Sequence, residues 1–375
     1  MEELNLTPDV KRVVAKVRGR ERISREDAEI LWMQAPLALL GMLAVELKRE
    51  KSGEVVFYNR NIHVEPTNVC VFNCRFCSYH KAAESPMAWD YSLDKVREIV
   101  SGYVGKEITE VHIVGGVHPK HDLWHYIDMV RLVKEVLPYV AVKAFTAIEL
   151  GYMIRKAGLT LEEGLSLLKD AGMEAIPGGG AEIFAPDIRS QICPDKGTAE
   201  EWLAVHREAH KLGIPTNSTI LYGHIESVAH RIDHLDRLRK LQDETGGFNA
   251  FIPLKYRSAG NSMSHLGEVS ITEDLKMLAV SRIFLDNFPH VKAYWPMYGK
   301  TVTELALSFG ADDIDGTIDD TTKIYSMAGA EEQKPSMTVA DIEKLVRAAG
   351  FEPVERDTFY NPVKRSNFTR NETKQ

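Results

Sequence analysis

The chain has 375 residues, 44% hydrophobic and 27% charged, with 46 basic and 54 acidic side chains and a net charge of −8. This is an ordinary globular profile, and the absence of a long like-charge run gives no reason to expect a nucleic-acid partner. No apolar stretch reaches the ~18 residues of a membrane helix, and Met1-Glu2-Glu3-Leu4 lacks the basic and apolar regions of a signal peptide, so the expected compartment is the cytoplasm.

Residues 1–54 read as a helical extension. Ser24-Arg25-Glu26-Asp27 fits a capping box, and Pro36 to Leu47 continues apolar at helical spacing. Val55 to Tyr58 reads as a short strand. From residue 61 strands alternate with helices. The predicted strands are Asn61–Glu65, Glu110–Val114, Val140–Thr146, Met173–Ile176, Thr216–Leu221 and Asn249–Pro253, with Lys292–Trp295 as a further candidate. The predicted helices between them are Ser92–Tyr103, Trp124–Leu137, Thr160–Asp170, a helix capped by Thr198 that ends before Gly213, Val228–Gln242 and Thr272–Asn287. Six βα units predict an α/β fold, a partial or full (β/α) barrel over 55–300. Thr301–Phe309 and Met337–Ala349 make residues 301–375 a C-terminal helical extension, with Lys364–Gln375 as a frayed tail.

Four cysteines are present, and Cys70, Cys74 and Cys77 fall within eight residues just after the first barrel strand. Three clustered thiols are a poor disulfide framework and a good metal pattern. Structural zinc wants four ligands, whereas a four-iron cluster on three thiolates keeps one iron open. A zinc site completed by His63 or His80 is the competing reading, and Cys193 reads as a buried free thiol.

Barrel enzymes place function at the carboxyl ends of their strands. Gly115-Gly116, Thr146, Glu182 after Pro177-Gly178-Gly179-Gly180, Ser218, and Lys255-Tyr256-Arg257 all fall at such ends. A glycine pair allows close backbone approach, or is simply a turn. Glu182 is a ligand contact, or a charge at a helix N-terminus. His63 and Glu65 alternate on one strand and are expected on one face, as catalytic groups or as a hydrogen-bonded core pair. Asp312, Asp313 and Asp315 lack the full calcium-loop pattern, so a structural or lid role is expected.

The Cys70-x-x-x-Cys74-x-Phe76-Cys77 spacing after a strand resembles the signature of the radical S-adenosylmethionine (SAM) superfamily. The resemblance implies a [4Fe-4S] cluster on Cys70, Cys74 and Cys77 whose open iron chelates SAM. It also implies cofactor contacts from Phe76, Gly115, Gly116, Thr146, Glu182 and Ser218. Gly115-Gly116-Val117 departs from the superfamily's frequent Gly-Gly-Glu, which leaves backbone carbonyls to meet the SAM amino group.

Several further segments are similar to the aminofutalosine synthases of the futalosine route to menaquinone. They are His63–Asn68, Pro177–Glu182, Tyr222–Glu226, Trp295-Pro296-Met297, Gly310–Thr317, Met327–Ala330 and Glu355–Thr358. Some of these are shared with dehypoxanthine futalosine cyclase, the enzymatic alternative. A zinc or iron–sulfur scaffold is the non-enzymatic one. The resemblance implies addition of the 5′-deoxyadenosyl radical to 3-[(1-carboxyvinyl)oxy]benzoate, with SAM consumed as co-substrate. A reductant such as flavodoxin or ferredoxin is implied as well. Arg75, Arg189, Lys255, Arg257 and His118 are candidate cations for the two substrate carboxylates, each with a structural ion pair as its alternative.

Overall fold

A computed structural model describes residues 6–365. Nine strands run through it: β1 (Val55–Val64), β2 (Glu110–Ile113), β3 (Ala141–Ala144), β4 (Met173–Ala175), β5 (Thr216–Tyr222), β6 (Phe248–Lys255), β7 (His290–Val291), β8 (Asp313–Ile318) and β9 (Glu352–Glu355). One sheet has the order β4-β3-β2-β1-β8, and a second has β5-β6-β7. All paired strands are parallel. Isolated parallel bridges link Ile176 to Thr216 and Lys292 to Asp313, so the two sheets meet at both edges. Eight parallel strands thus follow one another around a barrel whose two seams are single bridges. The ninth, β9, pairs with the first half of β1.

Helices occupy the crossovers, as parallel strands require. Their starts are set by side chains that accept backbone N–H groups. Ser24, Thr160, Thr198 and Thr338 each form the reciprocal capping box that the sequence suggests. Outward-facing Ile62, Val64, Val111, Ile113, Val142 and Ala144 are buried in one apolar cluster with Ile127, Val130 and Val133 of the helix Leu123–Val136. The alternate residues of the same strands face the barrel interior, and many of them are charged or polar.

Four expectations change. Val55–Tyr58 and Asn61–Glu65 are one strand, because Asn59 and Ile62 pair with β8 and the Asn61 amide donates to Asp315. Thr146 opens a helix rather than ending a strand, accepting the Glu149 N–H as N-cap. The stretch from Lys292 to Trp295 is not a strand, since β7 stops at Val291 and Pro296 sits in the first turn of a short helix, Trp295–Tyr298. Residues 301–375 are not only helical, because β8 and β9 join the sheet. An aspartate-rich strand is tolerated because each carboxylate meets a buried cation. Asp312 pairs with Arg282 at 2.6 Å, Asp313 with Arg356 at 2.6 Å and Asp315 with Lys292 at 2.7 Å. The N-terminal extension is helical as expected: Pro8–Arg18, Arg25–Gln34 and Leu37–Ser52. Of the tail Lys364–Gln375, residues 366–375 lie outside the described residues.

Candidate active site

The cysteine loop leaves β1 at Glu65 and is closed by a strap that returns at residue 91. Asn68 ties the two together: its amide donates to the Met87 carbonyl at 2.9 Å and its oxygen accepts the Trp89 N–H at 2.8 Å. The Trp89 indole donates to the Glu65 carbonyl at 3.0 Å, and the Tyr91 N–H to the Pro66 carbonyl at 2.8 Å. These contacts explain why Pro66-Thr67-Asn68 precedes the cysteines.

Cys74 is buried, while Cys70 and Cys77 are half-buried. Burial pushes the Cys70 and Cys77 thiols up, against backbone N–H donors from Val117 and Phe72 to Cys70 and from His80 and Tyr79 to Cys77. The His80 N–H lies 3.3 Å from the Cys77 sulfur. Cys74 is raised by its hydrogen bond to Cys193 and by burial. Three soft sulfur donors on one loop, two of them already met by backbone N–H groups, fit an iron–sulfur cluster.

Gly116 packs this loop from the side of β2. A Cβ there would sit 2.3 Å from the Val69 carbonyl oxygen, and one at Gly115 would sit 2.8 Å from that of Thr67. The Gly116 N–H donates to the Thr67 carbonyl at 2.7 Å. The pair therefore lets two loops touch backbone to backbone, and of the two only Gly115 lines the cavity. Glu149 steadies it from below, accepting the Gly115 N–H at 3.2 Å, and desolvation lifts its carboxyl to about 7.

A cavity runs from the loop into the barrel. Phe76, Cys77, Tyr79, Gly115, Thr146 and Glu182 line its mouth, and His63, Glu110, His112, Lys143, Lys292 and Asp315 line its depth. The Glu182 carboxylate pairs with Lys196 at 2.5 Å, and the Lys196 ammonium lies 5.8 Å from the Phe76 ring centre. Burial alone would depress Lys196, but Glu182 and the nearby thiols hold it above its ordinary value.

Besides Gly116, Cys70 and Cys74, two further expected site residues, Ser218 and Glu65, do not line this cavity. Ser218 is fully buried with an unpartnered hydroxyl, while its neighbours Asn217 and Thr219 line the wall, as strand alternation requires. Glu65 lies past the end of β1, so the alternation that would align it with His63 has ended. Its carboxylate accepts from the Thr322 hydroxyl at 2.5 Å and the Lys323 N–H at 3.0 Å, and desolvation raises it to about 7.

The candidate cations are already engaged. Arg189 spans backbone carbonyls, including Ala181 at 2.7 Å, and Arg75 donates to the Gln191 carbonyl at 3.3 Å. Lys255 pairs with Asp274 at 2.9 Å and Arg257 with Glu268 at 3.2 Å. His118 accepts the Lys120 N–H at 3.1 Å. Sequence reading missed His112, Lys143, Lys292 and Lys196. The alternation in Glu110-Val111-His112-Ile113 was the available signal, since polar residues at period two on a central strand imply a polar interior.

A parallel barrel with three thiols on the loop after its first strand and a glycine-packed second loop defines a radical SAM enzyme. The chain belongs to the radical SAM superfamily, whose model matches residues 64–238, and the CofH/MqnC C-terminal region matches residues 245–368. Its family includes the aminodeoxyfutalosine synthase of Thermus thermophilus, 42% identical over 94% of this chain and 95% of that one. A Methanocaldococcus jannaschii 5-amino-6-(D-ribitylamino)uracil–L-tyrosine 4-hydroxyphenyl transferase is 35% identical over 92% of this chain and 98% of its own length. The fold is that of methylornithine synthase, with a TM-score of 0.71 at 16% identity, covering 91% of this chain and 97% of that one. As a member of the superfamily, the chain uses a [4Fe-4S] cluster and SAM. Among the described residues no helix is long and apolar enough to cross a membrane.

Proposed function

We propose that the chain is an aminodeoxyfutalosine synthase. It joins C5′ of SAM to the vinyl carbon of 3-[(1-carboxyvinyl)oxy]benzoate, with loss of the enolpyruvyl carboxylate as CO2 or bicarbonate, and so forms 6-amino-6-deoxyfutalosine for menaquinone biosynthesis. The observation that carries this reading is the 42% identity to the Thermus synthase across nearly the whole of both chains.

Cys70, Cys74 and Cys77 hold the cluster. When bound, the cluster supplies the electron that cleaves the C5′–S bond of SAM and releases methionine. Phe76 offers an apolar face at the mouth of the cavity, and Gly115 presents backbone without a Cβ. Glu182, held by Lys196, faces the same space and can accept from hydroxyl or ammonium groups of SAM. Tyr79, Tyr294 and Tyr325 line the walls, where they exclude water from a reactive carbon radical and hold the vinyl carbon in reach. The electron donor is a small low-potential carrier, flavodoxin or ferredoxin, and the enzyme works in the cytoplasm.

The test is a substrate panel with anaerobically reconstituted enzyme and reductant. SAM is supplied with the enol ether, with a futalosine-type nucleoside, or with tyrosine and the ribitylaminouracil. Only the enol ether is expected to give an adenosylated, decarboxylated product by mass spectrometry. Turnover of either other substrate without the enol-ether product would overturn the reading.

A further inference from the structure

The depth of the cavity holds polar groups that the chemistry at its mouth leaves unused. His63 on β1, His112 on β2 and Lys143 on β3 stand side by side in register. The two imidazole centres are 4.5 Å apart. Lys292, just after β7, and Asp315 of β8 line the same depth.

The charges here are already balanced. Lys143 pairs with Glu110 at 2.5 Å, Lys292 with Asp315 at 2.7 Å, and Arg356 with Asp313 at 2.6 Å. The imidazoles are not satisfied. Neither ring nitrogen of His63 has a hydrogen-bond partner, nor does Nε2 of His112, and His63 is only 4% exposed. Buried polar atoms are nearly always partnered in native proteins, so orphans that line a cavity mark a missing ligand group.

We propose that the His63–His112 pair anchors the ring carboxylate of the substrate, and that His63 gains a proton as that carboxylate binds. This rests on the synthase reading. The substrate carries two carboxylates. The enolpyruvyl one is attached to the carbon pair under attack and must stay near the cluster. The ring carboxylate projects from the meta position away from it, toward the barrel interior. A neutral floor gives an incoming anion no net positive charge. One proton from solvent converts His63 to imidazolium, with two N–H donors and one charge to offset the carboxylate.

Without ligand, burial holds His63 down at about 4 and His112 well below its usual value, despite Asp315 and Glu110 nearby. Both rings are therefore neutral at pH 7, and the bound carboxylate must draw the proton in. Above the free-state value, affinity falls about tenfold per pH unit until the bound-state value is passed.

The experiment is anaerobic calorimetry of the reconstituted enzyme with the enol ether, at pH 7 in phosphate and in Tris, whose different ionisation heats count protons. About one proton taken up per ligand is expected. His63→Gln should lose the uptake and bind at least about tenfold more weakly. Esterifying only the ring carboxylate should do the same to the unaltered protein, whatever the folding of the variant, while esterifying only the enolpyruvyl carboxylate should leave the uptake in place. No proton uptake with product still formed, or His63→Gln binding as tightly as the parent, would overturn the anchor and leave the synthase reading standing. An enol ether that neither binds nor reacts would overturn both.

Discussion

The mouth and the depth of the barrel cavity are built by opposite means. The mouth is held by backbone: the Gly116 contact on Val69, the Asn68 amide bridging two strands of a loop, and N–H groups aimed at sulfur. The depth is held by side-chain charge: Lys143 on Glu110, Lys292 on Asp315, Arg356 on Asp313, all buried. Backbone scaffolding keeps three thiols presented while leaving their sulfurs free to ligate. Ion pairing neutralises a buried polar floor, because an unpaired charge there would be costly. The difference teaches that loss of a group at the mouth should remove function, whereas loss of a charge in the depth should remove stability.

The largest expected effect breaks that comparison most sharply. Cys70→Ala, Cys74→Ala or Cys77→Ala should each abolish SAM cleavage, by about 10³-fold or more, and bleach the cluster absorbance, with the thermal midpoint of the apoprotein little changed. Cys193→Ala should keep the cluster, since Cys193 lies outside the cysteine loop and meets Cys74 through a hydrogen bond. If Cys193→Ala bleaches as fully as Cys74→Ala, a fourth thiolate ligand closes the site and the open-iron account fails.

In the depth, Lys143→Met takes from Glu110 its paired cation and leaves the Thr358 hydroxyl as its side-chain hydrogen-bond partner among the described residues, with Arg356 and Lys292 as further charges nearby. Urea denaturation should show a loss of about 3–5 kcal/mol, mostly recovered when Glu110→Gln is added. A loss under ~1 kcal/mol would mean that the pair is solvated.

Glu65 lies between the two regions and titrates. Desolvation lifts its folded value to about 7 from 4.5. The stability it contributes is full below pH 4.5 and is lost as pH rises through about 7. At ~1.4 kcal/mol per pKa unit the loss is at most about 3.5 kcal/mol. Glu65→Gln, which keeps an acceptor for Thr322, should therefore be stabilised relative to the parent at pH 8 and not at pH 5. Equal effects at both values would contradict the burial of a titrating carboxyl.

The smallest of these effects sharpens the backbone side. Gly116→Ala forces a Cβ against the Val69 carbonyl and should cost about 1–3 kcal/mol, with a lower cluster content after reconstitution. Unchanged iron content would show that the loop yields freely.

The mouth was legible in the sequence because its information is local. The Cys70, Cys74 and Cys77 spacing, the glycine pair and the capping boxes are all short-range patterns. The depth was not, because it depends on register between strands far apart in the chain. Asp315 meets Lys292 and Asn61 only once β8 lies beside β1, and an aspartate-rich segment alone suggests a loop. Ser218 went astray by one residue, since strand alternation decides which of Asn217, Ser218 and Thr219 faces inward. His112 was overlooked although it alternates with Glu110 on one strand, because its partner His63 is nearly 50 residues away in the chain.

The most direct measurement follows carbon. Reconstituted enzyme is given reductant, the enol ether and SAM enriched with ¹³C at C5′. A synthase that adds the adenosyl carbon to the vinyl group places the label in the nucleoside product, bonded to a substrate carbon, with one SAM consumed per product. Label found in free 5′-deoxyadenosine, with the enol ether unadenosylated, would contradict the account.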